Sequence, residues 1–196
     1  GMVNVRAIHI ATLLRNDGKV LVAGGVNASG SFISTSELYN PSTNTWTLTT
    51  NFISGARAYA CANLLNNNDV LLSGGYPSTT VCQLYNHTSG LWSSTGSLLE
   101  AKDSHSAILM STGNVLASGG FNASLVTTTN CQIYITSLGS WSSFPGLTAE
   151  RCFHSMVRLR NDNILVIGGE YNEFLFSGPM YSQSTCEIYS TITGLW

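Results

Sequence analysis

Four stretches of this chain end on a Trp that stands seven residues after a Tyr: "SELYNPSTNTW" (36–46), "CQLYNHTSGLW" (82–92), "CQIYITSLGSW" (131–141) and "CEIYSTITGLW" (186–196). A second marker runs in step with the first: "VLVAGG" (20–25), "VLLSGG" (70–75), "VLASGG" (115–120) and "ILVIGG" (164–169). Ahead of each Gly pair lies a block opened by a cation: "RAIHIATLL" (6–14), "RAYACANLL" (57–65), "KDSHSAILM" (102–110) and "RCFHSMVRL" (151–159). The Gly pairs are 50, 45 and 49 residues apart. Self-similarity at such a period makes the repeating unit the thing that folds, and it takes priority over any local signal.

Each unit reads as four short strands, A to D. Strand A follows the cation and ends in turn chemistry, "RNDGK", "NNND", "STGN" or "RNDN", the Asn/Asp/Gly clusters that mark hairpins. Strand B is the run before the Gly pair; it is apolar on both faces and is predicted to be buried on both sides. Strand C ends at the Tyr and strand D carries the Trp. No segment has a helical period. Four-stranded units that cannot each bury two faces alone predict an all-β fold, a β-propeller with blades stacked around an axis.

Gly-Gly after a strand, then Tyr, then Trp at a fixed interval, resembles the kelch repeat, and the likeness recurs in all four units. The resemblance implies a β-propeller built of four four-stranded kelch-type blades. The whole chain, 1–196, is read as one kelch-type propeller domain with blades at approximately 1–50, 51–96, 97–145 and 146–196. Kelch propellers usually resemble rings of six or seven blades, so four units predict an incomplete segment or half of a larger ring. The phase agrees: Ile53, Leu98 and Leu147 each stand four residues before a cation, and Met2 stands so before Arg6. Apolar blade faces at both ends of such an arc predict a homodimer that completes a ring. Tyr39, Tyr85, Tyr134 and Tyr189, with their Trp partners, are assigned to packing between blades. Trp46, Trp92 and Trp141 are expected to be buried, and Trp196 less so.

Composition narrows the function. Charged residues make up 9% of the chain and the formal net charge is −2, so there is no basic footprint for nucleic acid and no polybasic segment for a membrane surface. Cys82, Cys131 and Cys186 recur at one repeat position, and no Cys-x-x-Cys pair suggests zinc. Equivalent positions in stacked sheets are about 10 Å apart or more, too far for a disulfide, so these three are expected to be buried thiols. One bridge between Cys61 and Cys152 or another Cys stays open. Three N-x-[ST] matches, at Asn27, Asn86 and Asn122, are what chance provides in a chain with 17 Asn; the compartment is not indicated.

His9, His105 and His154 share a strand-A position. Three His can bind a metal, but one per unit is also what a repeated structural hydrogen bond gives, and no metal or other cofactor is expected. Galactose oxidase and sialic-acid mutarotases resemble kelch propellers, yet the Tyr-His dipeptide that the oxidase site resembles is absent here. A G-x-S-x-G elbow is also absent. The leading function is therefore a binding or scaffolding module for a protein or carbohydrate ligand, with no catalytic residue assigned. The alternative is the propeller scaffold of an oxidase or of a sugar mutarotase or isomerase.

Antiparallel order places the D-to-A and B-to-C connections on one face. Arg6, Arg57, Lys102 and Arg151 would ring the channel mouth there, either contacting a ligand or satisfying local carboxylates and carbonyls. The B-to-C segments vary most in length, and variable loops on a rigid scaffold are where binding resides. That of the fourth unit, "EYNEFLFSGPMYSQS" (170–184), is the longest and the richest in aromatics. Tyr171, Glu173, Phe174 and Tyr181 complete the candidate ligand-binding set.

Overall fold

The computed structural model describes residues 1–52, 54–172 and 179–196. These residues form strands and turns without a helix. In the first unit β1 (Ile10–Leu13), β2 (Val20–Ala23), β3 (Ser36–Asn40) and β4 (Thr45–Leu48) make one antiparallel sheet in chain order. The second repeats it with β5 (Cys61–Leu64), β6 (Val70–Ser73), β7 (Cys82–Asn86) and β8 (Leu91–Ser94). The third does so with β9 (Ser106–Leu109), β10 (Val115–Ser118), β11 (Cys131–Ile135) and β12 (Ser140–Phe144). These are propeller blades, and they are not closed into a ring.

The fourth blade departs from the expected four strands. β13 (Ser155–Arg158), β14 (Ile164–Ile167) and β17 (Cys186–Tyr189) form a three-stranded sheet, and the strand-D position is reduced to a single bridge between Ser190 and Leu195. A separate hairpin, β15 (Glu170–Asn172) with β16 (Met180–Ser182), grows out of its B-to-C segment.

The interval of seven between Tyr and Trp is a hairpin constraint. Tyr39 faces Trp46 directly across β3 and β4, as Tyr85 faces Trp92 and Tyr134 faces Trp141. The last paired residues, Asn40 and Thr45 in the first blade, enclose a four-residue loop. That loop closes through a left-handed residue, Asn44 (φ 55°) or Gly90, Gly139 and Gly194 (φ 62–73°). Asn and Gly are the residues that adopt this conformation readily.

The Gly pair has a different reason. Gly25 N–H donates to the Arg57 carbonyl of the next blade at 2.9 Å, and a Cβ on Gly24 would sit 2.7 Å from that same oxygen. Gly75 N–H meets Lys102 O, and Gly120 N–H meets Arg151 O, both at 2.8 Å. Each blade thus receives the cation-bearing backbone of its successor on a spot where any side chain would intrude.

The core lies between the blades. The trailing face of the first blade (Leu14, Leu21, Ala23, Leu38) packs on the leading face of the second (Val70, Leu72, Tyr85, Trp92), with Phe52 from the connecting segment between them. Leu65, Leu71, Cys82 and Leu84 meet Val115, Ala117, Tyr134 and Trp141 in the same way. Met110, Leu116, Cys131 and Ile133 meet Ile164, Val166 and Tyr189. β6 and β10, each covered on both sides, are apolar but for their last residues, Ser73 and Ser118. Ile53, expected in the first connecting segment, lies outside the described residues; its neighbour Phe52 packs edge-on to Trp92 at 4.8 Å.

Trp92, Trp141 and Trp196 point back toward the preceding blade. Trp92 Nε1 donates to Ser36 Oγ at 3.0 Å, and Trp196 Nε1 to the Pro145 carbonyl at 2.7 Å. This corrects the expectation for Trp46, which is only half-buried while Trp92 and Trp141 are each 5% exposed. It has the same hairpin and the same Tyr beneath it, but no described blade stands before it. Cys186 is corrected for the converse reason. Cys82 and Cys131 are buried, and Cys186 is exposed because no Trp of a following blade covers it. All five thiols are free.

Replacing Trp92 or Trp141 by Ala is expected to cost ~3–5 kcal/mol, the range for deleting a buried large aromatic. The same change at Trp46 or Trp196 should cost clearly less. Urea unfolding of the four single variants checks the ranking.

Candidate functional site

The four cations are drawn into their own blades. Arg6, Arg57, Lys102 and Arg151 are all buried. Arg6 Nη1 donates to the carbonyls of Gly24 and Thr35, both at 2.9 Å, and Nη2 to Glu37 Oε1 at 2.7 Å. Arg151 repeats this with Gly168, Thr185 and Glu187, at 2.7, 3.2 and 2.8 Å. Arg57 reaches Gly74, Val81 and the neutral Gln83, at 3.1, 2.8 and 3.1 Å. Lys102 Nζ bonds Gly119 O at 3.0 Å and Asn130 O at 2.9 Å. In every unit the cation ties the end of strand B to the start of strand C. Burial drives the Lys102 ammonium down to about 8, against the opposing pull of Cys131 and Glu100.

The sequence analysis missed a set of residues at one position on strand C. Glu37, Gln83 and Glu187 accept from Arg6, Arg57 and Arg151, and Gln132 stands at the same position without bonding Lys102. Glu37 accepts N–H bonds from Val3 and Asn4, Gln132 from Leu99, and Glu187 from Thr148 and Ala149. Burial alone would raise the Glu37 and Glu187 carboxyls. The Arg and backbone donors outweigh it and hold both below the usual range. The signal was present: Glu or Gln stands two residues before every repeated Tyr.

The shared His position is also internal to the stack. His105 Nε2 bonds Ser73 Oγ of the preceding blade at 3.0 Å, and His154 Nε2 bonds Ser118 Oγ at 2.8 Å. Where the second unit has Ala60 instead, the facing residue is Ala23, and the two pack in one cluster. Among the described residues no group of three His, Cys, Asp or Glu could hold a metal.

The loop face carries two aromatic groups. Around the channel, Phe153 stands edge-on to Tyr59 at 6.1 Å and to Phe121 at 6.0 Å. Tyr59 and Phe153, like Ile8 and Ser104, follow the cation by two residues and have φ of 52–55°. Their backbones link successive blades, Ser104 N–H to Tyr59 O at 3.0 Å and Phe153 N–H to Ser104 O at 2.9 Å. Close by, the buried Asp103 carboxylate accepts hydroxyls from Ser78 and Ser104, and its burial raises it above the usual range.

The second group is on the fourth blade. Tyr171 and Tyr181 are cross-strand partners on β15 and β16, their rings 5.4 Å apart and tilted by 31°. The hairpin is fixed at its base by paired bonds between Cys152 and Glu170, 2.8 and 2.9 Å. Its flank is held by Asn172, whose Oδ1 accepts from Thr127 N at 3.2 Å and from Thr127 Oγ1 at 3.1 Å. Tyr171 lines an open cleft of about 630 Å³ shared with Thr129, Glu150, Gln183 and Thr185. Gln183 Nε2 bonds the Glu150 carbonyl at 2.7 Å and fixes that wall. The cleft joins Tyr171, with Tyr181 stacked beside it, to residues that sequence reasoning did not find, since Thr129 and Glu150 belong to other segments. Arg151 is buried below. Glu173 and Phe174 lie outside the described residues.

A family model for the Kelch motif matches residues 11–52, the span from β1 through β4 to Phe52. The first unit is a kelch motif. The second and third units repeat its strand order and Tyr–Trp register. No curated protein matches the chain.

The buried histidines set a pH dependence. Burial first, then the Lys102 charge and His154, drives His105 down to about 3. Burial, then Arg151 and Lys102, drives His154 to about 4. The unfolded chain takes up these protons near pH 6.5, whereas the folded chain does not. Their stabilising contribution is therefore whole above about pH 6.5 and is lost as pH falls toward 4, at about 1.4 kcal/mol per pH unit for each His. Replacing His105 and Ser73 together by Ala reproduces the Ala60–Ala23 pairing. Urea midpoints between pH 6.5 and 4.5 should then fall less steeply than in the parent.

Proposed function

We propose that the chain is a kelch-type binding module that takes a protein or carbohydrate ligand in the cleft beside the fourth-blade hairpin. The observation that carries this reading is the pair Tyr171 and Tyr181. A buried hairpin would hide such rings, but Tyr181 is 38% exposed and Tyr171 is half-exposed on the cleft wall. Amphipathic rings held on a rigid base are typical binding anchors. The Asn172 bonds and the Cys152–Glu170 bridge supply that base. The walls are hydroxyls, an amide and one carboxylate, suited to sugar hydroxyls or to a peptide backbone. The four cations serve as internal ties on this reading, since their donors already meet carbonyls of their own blades. A second copy of the chain is a further proposed partner, at the open blade faces.

Tyr171→Ala and Tyr181→Ala, made singly, should abolish capture on a peptide or glycan array while shifting the melting temperature by less than 2–4 °C, the effect of about 1 kcal/mol in a domain of this size. A sharp loss of melting temperature, with binding following the folded fraction, would make these rings core.

A further inference from the structure

The charges of the chain divide between its two loop faces. Arg15, Lys19, Arg158 and Arg160 lie at the A-to-B turns, with Asp17, Asp69 and Asp162 among them. On the opposite face, where the Tyr171 cleft opens, every Lys and Arg is buried, and each gives its donors to its own blade. Carboxylates stay accessible there: Glu100 is exposed, and Glu150 and Glu170 are half-buried. Burial first, then the charges of Glu170, Asp103 and Glu150, pushes the Cys152 thiol up to about 12, so their field reaches the base of the hairpin.

The cleft wall has the same bias at close range. The donors that could hold an anion are already engaged: Thr148 and Ala149 give their N–H groups to Glu187, at 2.6 and 3.2 Å. Gln183 is tied at both ends of its amide, Nε2 to the Glu150 carbonyl at 2.7 Å and Oε1 to the Thr185 hydroxyl at 3.0 Å. Arg151 Nη2 lies behind that hydroxyl, at 3.2 Å, and is neutralised by Glu187. Among the described residues Glu150 is the one charged residue of the cleft lining. The ion pairs made by Lys and Arg, Arg6–Glu37, Lys19–Asp17, Arg151–Glu187 and Arg158–Asp162, leave its carboxylate out. Beside it stands the Tyr171 ring, with Tyr181 at 5.4 Å.

We infer that the occupant of this cleft is a peptide segment bearing an arginine, whose guanidinium lies on the Tyr171 ring and donates to the Glu150 carboxylate. The inference rests on the reading of the cleft as the ligand site and names the chemistry of what it takes. A wall with a carboxylate and hydroxyls to accept, and its N–H groups engaged, calls for a ligand rich in donors and positive in charge. A tyrosine face attracts a cation through its ring quadrupole. Arginine meets both demands at once, since its planar fork stacks on an aromatic ring while its five N–H groups reach a carboxylate and neighbouring hydroxyls. A lysine offers a point charge and no plane to stack. A neutral sugar needs donors from the wall as well as acceptors, and an acidic peptide would meet Glu150 and the field of its neighbours.

The test is an array of short peptides with Arg, Lys, citrulline or Glu at the central position, printed beside neutral oligosaccharides and probed with the whole chain. Arg peptides should be retained, Lys peptides less so, and citrulline peptides, which keep the shape and lose the charge, should be released. For the best Arg peptide, Glu150→Gln should weaken binding by roughly tenfold, the scale of a charge-assisted bond. The same variant should leave the weak affinity for the citrulline peptide unchanged. The Glu150 carbonyl still holds Gln183 in this variant, so the melting temperature should stay at the parent value. If it falls, the comparison of Arg with citrulline on the parent chain decides alone. Retention of oligosaccharides or Glu peptides instead, lost in Tyr171→Ala, keeps the cleft as the ligand site and overturns the arginine. Equal affinity of the parent and a stable Glu150→Gln variant for the Arg peptide overturns it as well. A chain that retains nothing overturns both readings.

Discussion

The blade stack depends on a backbone contact that no side chain could make. A glycine N–H on one blade meets the carbonyl of the cation residue on the next, at a separation that leaves no room for a Cβ. The contact sets the distance between sheets, and that distance decides what fits between them: Leu and Val on strands A and B near the axis, Tyr and Trp on strands C and D toward the outside. Blades diverge from an axis, so the outer space is larger, and aromatic plates fill it.

The same residue that offers this carbonyl also offers a buried charge. Its side chain turns back into its own blade and bridges the carbonyls at the end of strand B and the start of strand C. A buried cation is costly unless its hydrogen bonds are met. The terminal nitrogens of Arg6 and Arg151 meet theirs with carbonyls and a carboxylate, those of Arg57 with carbonyls and an amide, and Lys102 with two carbonyls, while Nε of Arg6 and of Arg151 stays without a partner. Lys102 has the shortest reach, and its ammonium is the one that burial shifts to about 8. One residue thus holds its own strands together through its side chain and the neighbouring blade through its main chain. This accounts for a cation at the head of every strand A in a chain otherwise poor in charge.

The proposed ligand cleft lies where one unit departs from the repeat. The B-to-C segment of the fourth blade extends the bridge found in every unit, the Cys152–Glu170 pairing, into an extra hairpin with two tyrosines on it. Because the hairpin begins on a bridge common to all blades, its base is as fixed as the scaffold. The channel-side aromatics Tyr59 and Phe153 arise likewise, from bulky residues at a left-handed position that Ser104 fills more modestly.

The sequence alone determined the period, the strand order of the first three units and the Tyr–Trp register, because each is local: a hairpin of fixed length sets which residues face each other. It also carried the Glu or Gln that answers each buried Arg, legible in hindsight at a constant offset from the Tyr. What it could not determine was anything set by a neighbour outside the unit. Trp46 and Trp92 have the same local sequence pattern, yet one is half-exposed and the other buried, because burial of a blade face depends on whether another blade lies against it. Cys186 differs from Cys82 and Cys131 for the same reason. The cleft was hidden too: Thr129, Glu150, Tyr171 and Gln183 come from segments up to 54 residues apart, and only the stacking of the third blade on the fourth brings them to one wall.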